Sequence, residues 1–327
     1  MRFLIAGAGA IGAYIGARMA QAGFDVTLFA RGPHLRAMQE YGVQVKSSEG
    51  DFVARPTIAS SLEELKPPDV VFLGVKAHGL LQLAPQLKPV LGPDTTVVST
   101  QNGIPWWYFQ GFGGEWEGLR LERVDPGGVI SSAIEANHVV GSIVYFSTEI
   151  TAPGVIQHIE GNRISLGEPD GTRSDRSRRI AEALIASGLR CPVTTRIRTE
   201  IWLKLLGNAS LNPVSALTRA TLVQMVRDPG VCSVIRNIMQ EVEAVSQKLG
   251  IELPVSIDQR IAGAEKVGEH KTSMLQDLEA GRPMELEALV GAVVELGERV
   301  GVPMSYTRTV YACTRLLADM QVRSIPK

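Results

Sequence analysis

The chain has few of the residues that would give it a specialised chemistry. Its 327 residues include three cysteines and five histidines. Cys191, Cys232 and Cys313 are odd in number and lack metal-ligand spacing, and the histidines stand singly without an HExxH pattern. A disulfide framework is therefore excluded and no metal site is expected. Buried free thiols in a reducing, cytoplasmic protein are the simplest expectation. Charge of one sign is also missing: 33 basic against 34 acidic residues leave a net charge of -1. Nothing electrostatic points to nucleic acid or an anionic membrane as a partner. No apolar stretch reaches a membrane span without a charge or a dense set of glycines. The apolar run after Arg2 is too rich in glycine for a secretory leader, and cleavage there would remove the motif that follows.

Glycine is what the chain has, and its placement matters most at the start. A buried-strand run, Phe3 to Ala6, leads directly into Gly7-Ala8-Gly9-Ala10-Ile11-Gly12 and then a helical pattern. Strand, tight turn and helix start are the context that a dinucleotide fingerprint requires. Gly7 permits the turn, Gly9 lets a pyrophosphate approach the backbone, and Gly12 lets helix and sheet lie close. The unpaired N–H groups of that helix then face the phosphates. A second strand, Asp25 to Ala30, ends at Arg31, where NAD-binding sheets often carry an acid. An arginine there can pair with a 2′-phosphate, which favours NADP(H) over NAD(H).

Further strands are predicted at Val43 to Lys46, Phe52 to Ala54, Val70 to Val75 and Thr95 to Thr100. The last two are continuous apolar runs of the kind covered on both faces, and they end near Lys76 and Asn102. Ligands of open α/β sheets gather at the carboxyl ends of strands, so both residues are candidates for cofactor contact. Ser142 to Thr148 and Val155 to Ile159 read as added antiparallel strands, and Ser174 to Ser187 as an amphipathic helix. Beyond Val193 long helical patterns dominate. The expected division is residues 1–193 for the nucleotide-binding domain and 194–327 for a helical one.

In the helical half, Lys204, Asn208 and Asn212 fall at i, i+4 and i+8. They drift by only about 40° per step, so one face of an otherwise apolar helix carries an amine and two amides. Two Asn residues are poor helix formers for a merely solvated face, which suggests a ligand-facing stripe. Pro213 should kink or stop this helix. Further on, Ser273 can cap a helix continued by Gln276, and Glu285 falls just inside a helix begun after Pro283. Capping and helix-dipole roles account for both without a ligand.

Together these residues resemble the 2-dehydropantoate 2-reductases, also called ketopantoate reductases. The resemblance is carried by GAGAIG, Val75-Lys76-Ala77, Gln101-Asn102-Gly103, Lys204-x-x-x-Asn208-x-x-x-Asn212-Pro213, and Ser273-Met274-Leu275-Gln276-Asp277 followed by Glu285. It implies an α/β Rossmann-like N-terminal domain with a mostly parallel sheet, an all-α C-terminal domain, and a cleft between them. The implied reaction is NADPH-dependent reduction of ketopantoate, a small 2-keto acid, to (R)-pantoate in pantothenate and coenzyme A biosynthesis. Lys204 matches the general acid and Glu285 a substrate-orienting carboxylate. Asn208, Asn212 and Ser273 match substrate-binding positions, and Lys76 and Asn102 match residues near the nicotinamide ribose. Arg31 matches the 2′-phosphate ligand.

The residue types suit that chemistry, because hydride reaching a ketone carbon leaves charge on oxygen that an ammonium can stabilise and protonate. Burial would lower the pKa of Lys204 and Glu285 would raise it, with the net direction open. The chain departs from the family in an aromatic, glycine-containing insertion from Trp106 to Gly118, whose rings either reshape the substrate pocket or pack the two domains. It also has Val290 before Gly291, where the family often has Asn, and no Asn between Thr218 and Val223. Two alternatives stay open: an NADPH reductase of a different, bulkier 2-keto acid, and a non-catalytic NADP(H)-binding sensor. The apolar helices of the second half make a homodimer plausible.

Overall fold

Continuous apolar runs become the central strands of one nine-stranded sheet. In the computed structural model, which describes residues 1–63 and 65–323 with side chains through 321 in the last helix, two compact units are distinguished. The first comprises Met1–Gln101, Trp106–Arg120 and Gly127–Ile197; the second comprises Asn102–Pro105, Leu121–Pro126 and Arg198–Lys327.

The first unit begins with β1 (Arg2–Ala6), α1 (Ala10–Gln21), β2 (Asp25–Phe29) and α2 (Gly32–Tyr41). It continues with β3 (Val43–Lys46), β4 (Phe52–Ala54), β5 (Thr57–Ala59), β6 (Val70–Leu73), α3 (Ala77–Leu87) and β7 (Thr96–Ser99). Two long strands, β8 (Val139–Ala152) and β9 (Val155–Gly167), and α4 (Asp175–Ala186) complete it. The sheet order is β4-β3-β9-β8-β7-β6-β1-β2-β5. From β5 to β8 every neighbouring pair is parallel. That run has the 3-2-1-4-5-6 order of doubly wound nucleotide-binding sheets, with its switch point between β1 and β6. Ile5, Leu28, Phe72 and Val98 are fully buried in it, as strands covered on both faces should be.

β8 and β9 form the expected antiparallel addition, but they run further than alternation suggested, with bulges that absorb their length. β3 then pairs parallel with β9 and antiparallel with β4. The three-residue β5, which extends the sheet beyond β2, has no counterpart in the sequence expectations. The aromatic insertion divides in two: residues 106–109 are buried, while residues 111–118 are largely exposed. Trp107, Tyr108 and Phe109 are 1% exposed, and the Trp107 indole N–H donates to Ser99 Oγ at 2.8 Å, so the rings are core of the first unit.

The second unit is helical: α5 (Ile197–Thr218, in this unit from Arg198 on), α6 (Leu222–Arg227), α7 (Pro229–Lys248), α8 (Ile257–Val267), α9 (Ser273–Glu279), α10 (Ala292–Val300) and α11 (Ser305–Arg323). Two segments from earlier in the chain pack with these helices. Ile104 donates its N–H to Ala288 O at 3.0 Å, and the N–H groups of Glu122 and Arg123 donate to the Glu295 carboxylate.

Several expectations are corrected. Pro213, expected to kink or stop α5, does not stop it; the helix continues to Thr218. The flanking Leu211, Val214 and Ala216 are buried, so packing outweighs one missing hydrogen bond. Ser273 is not the cap of α9: Thr272, extended and 5% exposed, accepts the Leu275 N–H, and Ser273 is the first helical residue. Glu285 precedes its helix rather than lying inside it; the backbone then makes a π turn over Glu287–Gly291 before α10. Of the three cysteines Cys191 alone is buried, which pushes its thiol up to about 12, while Cys232 is half-buried and Cys313 exposed. Among the described residues no helix is long and apolar enough to cross a membrane, and no cluster of His, Cys, Asp and Glu could hold a metal ion.

Candidate functional site

Two groups of residues, one in each unit, carry chemistry. In the first unit, β1 delivers Gly7, Gly9 and Gly12 to the switch point. Gly7 has φ +98°, which a side chain would strain, and a Cβ on Gly74, just past β6, would lie 2.2 Å from Gly7 O and 2.9 Å from Gly12 Cα. Glycines from two strands and a helix thus interlock. Gly74 was not singled out from sequence, because its partner lies on another strand.

The N–H groups of Gly7 and Ala8 both donate to Phe29 O, which ties the loop to β2. Gly9 caps α1 with no side-chain hydrogen bond and no acid stands in the first turn, so the N–H groups of Ala10 and Ile11, which have no intrahelical acceptor, suit an anion. A cavity of about 290 Å³ lies here, lined by Gly7, Ala8, Gly9, Arg31, His34 and Gln82 among others. Arg31 is exposed, stacks on Phe29 with its guanidinium carbon 5.4 Å from the ring centroid, and donates to Gln86 Oε1 at 2.9 Å. Lys76, half-buried, precedes the first turn of α3.

His34 belongs to this wall and escaped the sequence reading. The Gly154 N–H donates to its Nδ1 at 2.9 Å, so the neutral ring carries its proton on Nε2. Burial holds the imidazole below its ordinary range, opposed by the Ala8 backbone. His34 therefore braces the β8–β9 turn beside the glycine loop. A lone histidine in a loop-to-helix segment gave no sequence signal for this.

In the second unit α5 carries Lys204 and Asn208, both half-buried, and Asn212, 5% exposed. Lys204 is pushed down to about 8, first by burial of its ammonium, with the Glu285 carboxylate opposing and the Arg260 guanidinium adding to the shift. Some of its surface reaches solvent, yet protein atoms surround it closely enough for desolvation to outweigh the attraction of Glu285. Glu285 is 8% exposed and accepts from Asn102 Nδ2 at 3.5 Å. Asn102, three residues past β7, therefore groups with Glu285 in the helical unit. Ser273, at the first turn of α9, is exposed.

Arg260 of α8 is the residue that sequence reasoning missed here. Its guanidinium lies against α5 where Gly207 lacks a side chain. A glycine inside an apolar helix, about 1 kcal/mol worse there than alanine, was the available signal of a close approach.

A family model described as "Ketopantoate reductase PanE/ApbA" matches residues 3–106, and one described as "Ketopantoate reductase PanE/ApbA C terminal" matches residues 196–318. A 2-dehydropantoate 2-reductase of Mesorhizobium japonicum is 50% identical over 319 residues, covering 97% of this chain and 98% of its own. The crystal structure of a provisionally named ketopantoate reductase from Ralstonia solanacearum MolK2 is similar with a TM-score of 0.94 and 38% identity, over 98% of each chain. A D-mandelate dehydrogenase in a ternary structure with NADH and anilino(oxo)acetate is 21% identical with a TM-score of 0.84, over 98% of this chain and 99% of its own; this is a likeness of fold.

Proposed function

The chain belongs to the ketopantoate reductase family, and on that premise we propose that it reduces 2-dehydropantoate to (R)-pantoate with NADPH, a step toward pantothenate and coenzyme A. The observation that carries this reading is the polar stripe of α5: an amine whose pKa is lowered to about 8, followed by two amides and opposed by a buried carboxylate. An ammonium with that pKa is largely protonated at neutral pH and gives up its proton more readily than an ordinary lysine.

The residues of the first unit fit NADPH. The uncapped N–H groups at Gly9 suit the pyrophosphate, and Gly7, Gly12 and Gly74 leave the backbone close enough to receive it. Arg31 stands where an acid would accept the ribose hydroxyls of NAD(H), and its charge suits the 2′-phosphate instead. Lys76 would bind toward the nicotinamide ribose. Bound NADPH supplies a hydride to the ketone carbon.

The protein's own part is to hold the keto acid and deliver a proton. Lys204 Nζ stabilises the oxygen that gains charge and donates a proton to it, which turns the ketone into an alcohol. Glu285 accepts from the substrate hydroxyl and, with Asn102, fixes the orientation of the carbon chain. Asn208, Asn212 and Ser273 donate to the substrate's remaining oxygens. We place the reaction in the cytoplasm, a reading that the three free thiols support.

The bulkier-substrate alternative loses its motive, since the rings that suggested it are buried in the first unit. A panel of 2-keto acids with NADPH, followed by loss of reduced-nicotinamide absorbance, tests the assignment. Ketopantoate should give the highest kcat/KM; a value no better than those of unrelated keto acids would overturn it.

A further inference from the structure

The π turn over Glu287–Gly291 begins two residues after Glu285, and such turns are rare and gather at functional sites. Its effect on the backbone is specific. The Ala292 N–H donates to Glu287 O, five residues back, and so passes over Ala288 O. Ala288 O accepts the Ile104 N–H at 3.0 Å. Gly103, with φ +87°, lies against the same carbonyl, where a Cβ would be 2.2 Å from the oxygen. The π turn thus docks the segment that carries Asn102, and Asn102 Nδ2 donates to Glu285 Oε2.

The side chain of Glu287 folds back over the same turn. From α11, the Tyr311 hydroxyl donates to both of its carboxylate oxygens at 2.9 Å, and Arg123 Nη1 lies 3.4 Å from Oε2. Gly291 leaves the room for this: a Cβ there would lie 2.6 Å from Glu287 Oε2 and 3.3 Å from Tyr311 Cε2. Tyr311 is 6% exposed, and burial first, then the Glu287 carboxylate, push its hydroxyl up to about 12, which keeps it a donor. The first and last residues of the π turn are thereby held together against α11. A π turn contains one residue more than an α turn. Relaxing it to α spacing would rotate the residues before it by about 100° against α10. Glu285 belongs to that rotating piece, since its carbonyl accepts the Leu289 N–H at 3.3 Å.

We propose that Tyr311 is a positioning residue for Glu285: by holding the Glu287 carboxylate over Gly291, it keeps the π turn that aims Glu285 and docks Asn102 beside it. This rests on the reading of Lys204 as proton donor to the ketone and of Glu285 as the carboxylate that orients the substrate. Tyr311 touches neither substrate nor cofactor and acts through the backbone alone. Its loss should therefore reach the chemistry as a misplaced Glu285. Glu285 raises the pKa of Lys204 and Arg260 lowers it. With the carboxylate moved off, the Lys204 pKa falls. Tyr311→Phe and Gly291→Ala change no charge, so any such fall comes from geometry.

The test is the pH profile of kcat for ketopantoate reduction with NADPH in the wild type, Tyr311→Phe, Gly291→Ala, Glu285→Gln and Thr307→Val. Thr307→Val removes a buried hydrogen bond from α11 to Glu241 and shows what weakening the same helix elsewhere does. The alkaline limb should move to lower pH in Tyr311→Phe, by no more than in Glu285→Gln, and stay at the wild-type position in Thr307→Val. kcat/KM should fall about three- to tenfold in Tyr311→Phe. Gly291→Ala should move the limb the same way, by pushing the Glu287 carboxylate off the hydroxyl; if Tyr311→Phe does not fold, it decides. A limb that Tyr311→Phe leaves in place, whatever happens to kcat/KM, overturns the inference and makes the contact a tether between helices. An equal move in Thr307→Val overturns it as well. A limb that Glu285→Gln leaves in place, or a wild-type protein that reduces no keto acid, overturns the reading of Lys204 and Glu285 and this inference with it.

Discussion

The side-chain amide of Asn102 donates to Glu285 Oε2 at 3.5 Å, joining residues 183 positions apart. The bond is long, so its worth lies at the low end for a charged acceptor. Asn102→Ala should lower kcat/KM about three- to tenfold by leaving the Glu285 carboxylate less well oriented. Asn102→Asp is more informative, because it sets a second carboxylate beside the first. Like charges oppose joint ionisation, so the loss should exceed that of Asn102→Ala at pH 8 and narrow as the pH falls and one group takes a proton. Parallel pH profiles for the two variants would contradict this.

Lys204 gives a pH dependence of known sign. Reduction needs its protonated form, so activity should be present below a pKa of about 8 and be lost as the pH rises through it. Glu285 raises that pKa, so Glu285→Gln should move the alkaline limb of its residual kcat to lower pH. Lys204→Ala should lower kcat by about 10² to 10⁴ while NADPH binding persists. A limb that stays in place in Glu285→Gln would separate the carboxylate from the lysine.

Arg31 is the simplest test of cofactor choice. One charge-assisted bond to a phosphate is worth about 1.5 to 3 kcal/mol, or roughly ten- to a hundredfold in affinity. Arg31→Ala should weaken NADPH by that factor and NADH by less than about threefold. Fluorescence titration of both nucleotides at one ionic strength measures the difference. Equal losses would make Arg31 a structural residue held by Gln86 and Phe29.

Local signals account for what the sequence made legible. The apolar runs of β6 and β7, the glycine spacing after β1 and the stripe on α5 each lie within a few residues of chain. What escaped depends on residues distant in sequence. β5 is three residues long and is set by pairing with β2; Thr272 caps α9 because its environment buries it. Arg260 meets Gly207 only when α8 packs on α5, and Asn102 meets Glu285 only when its segment joins the helical unit. Pro213 shows the same rule from the opposite side, since buried neighbours on both flanks carry α5 past a residue expected to kink or stop it.

Two glycine-to-alanine changes should have opposite effects on stability. At Gly74 the added Cβ would sit 2.2 Å from the carbonyl oxygen of Gly7, a backbone atom that cannot rotate aside. The first turn after β1 would have to shift, so Gly74→Ala should destabilise the protein by about 1 to 3 kcal/mol or more and weaken NADPH binding along with it. At Gly263, inside α8, a Cβ meets nothing within 4 Å. There alanine only restricts the unfolded chain and favours the helix, so Gly263→Ala should stabilise by about 0.5 to 1 kcal/mol. Urea unfolding of both variants checks the pair. A Gly74→Ala protein as stable as the wild type, with its nucleotide affinity intact, would show that the contact among Gly7, Gly12 and Gly74 does not hold the loop in place.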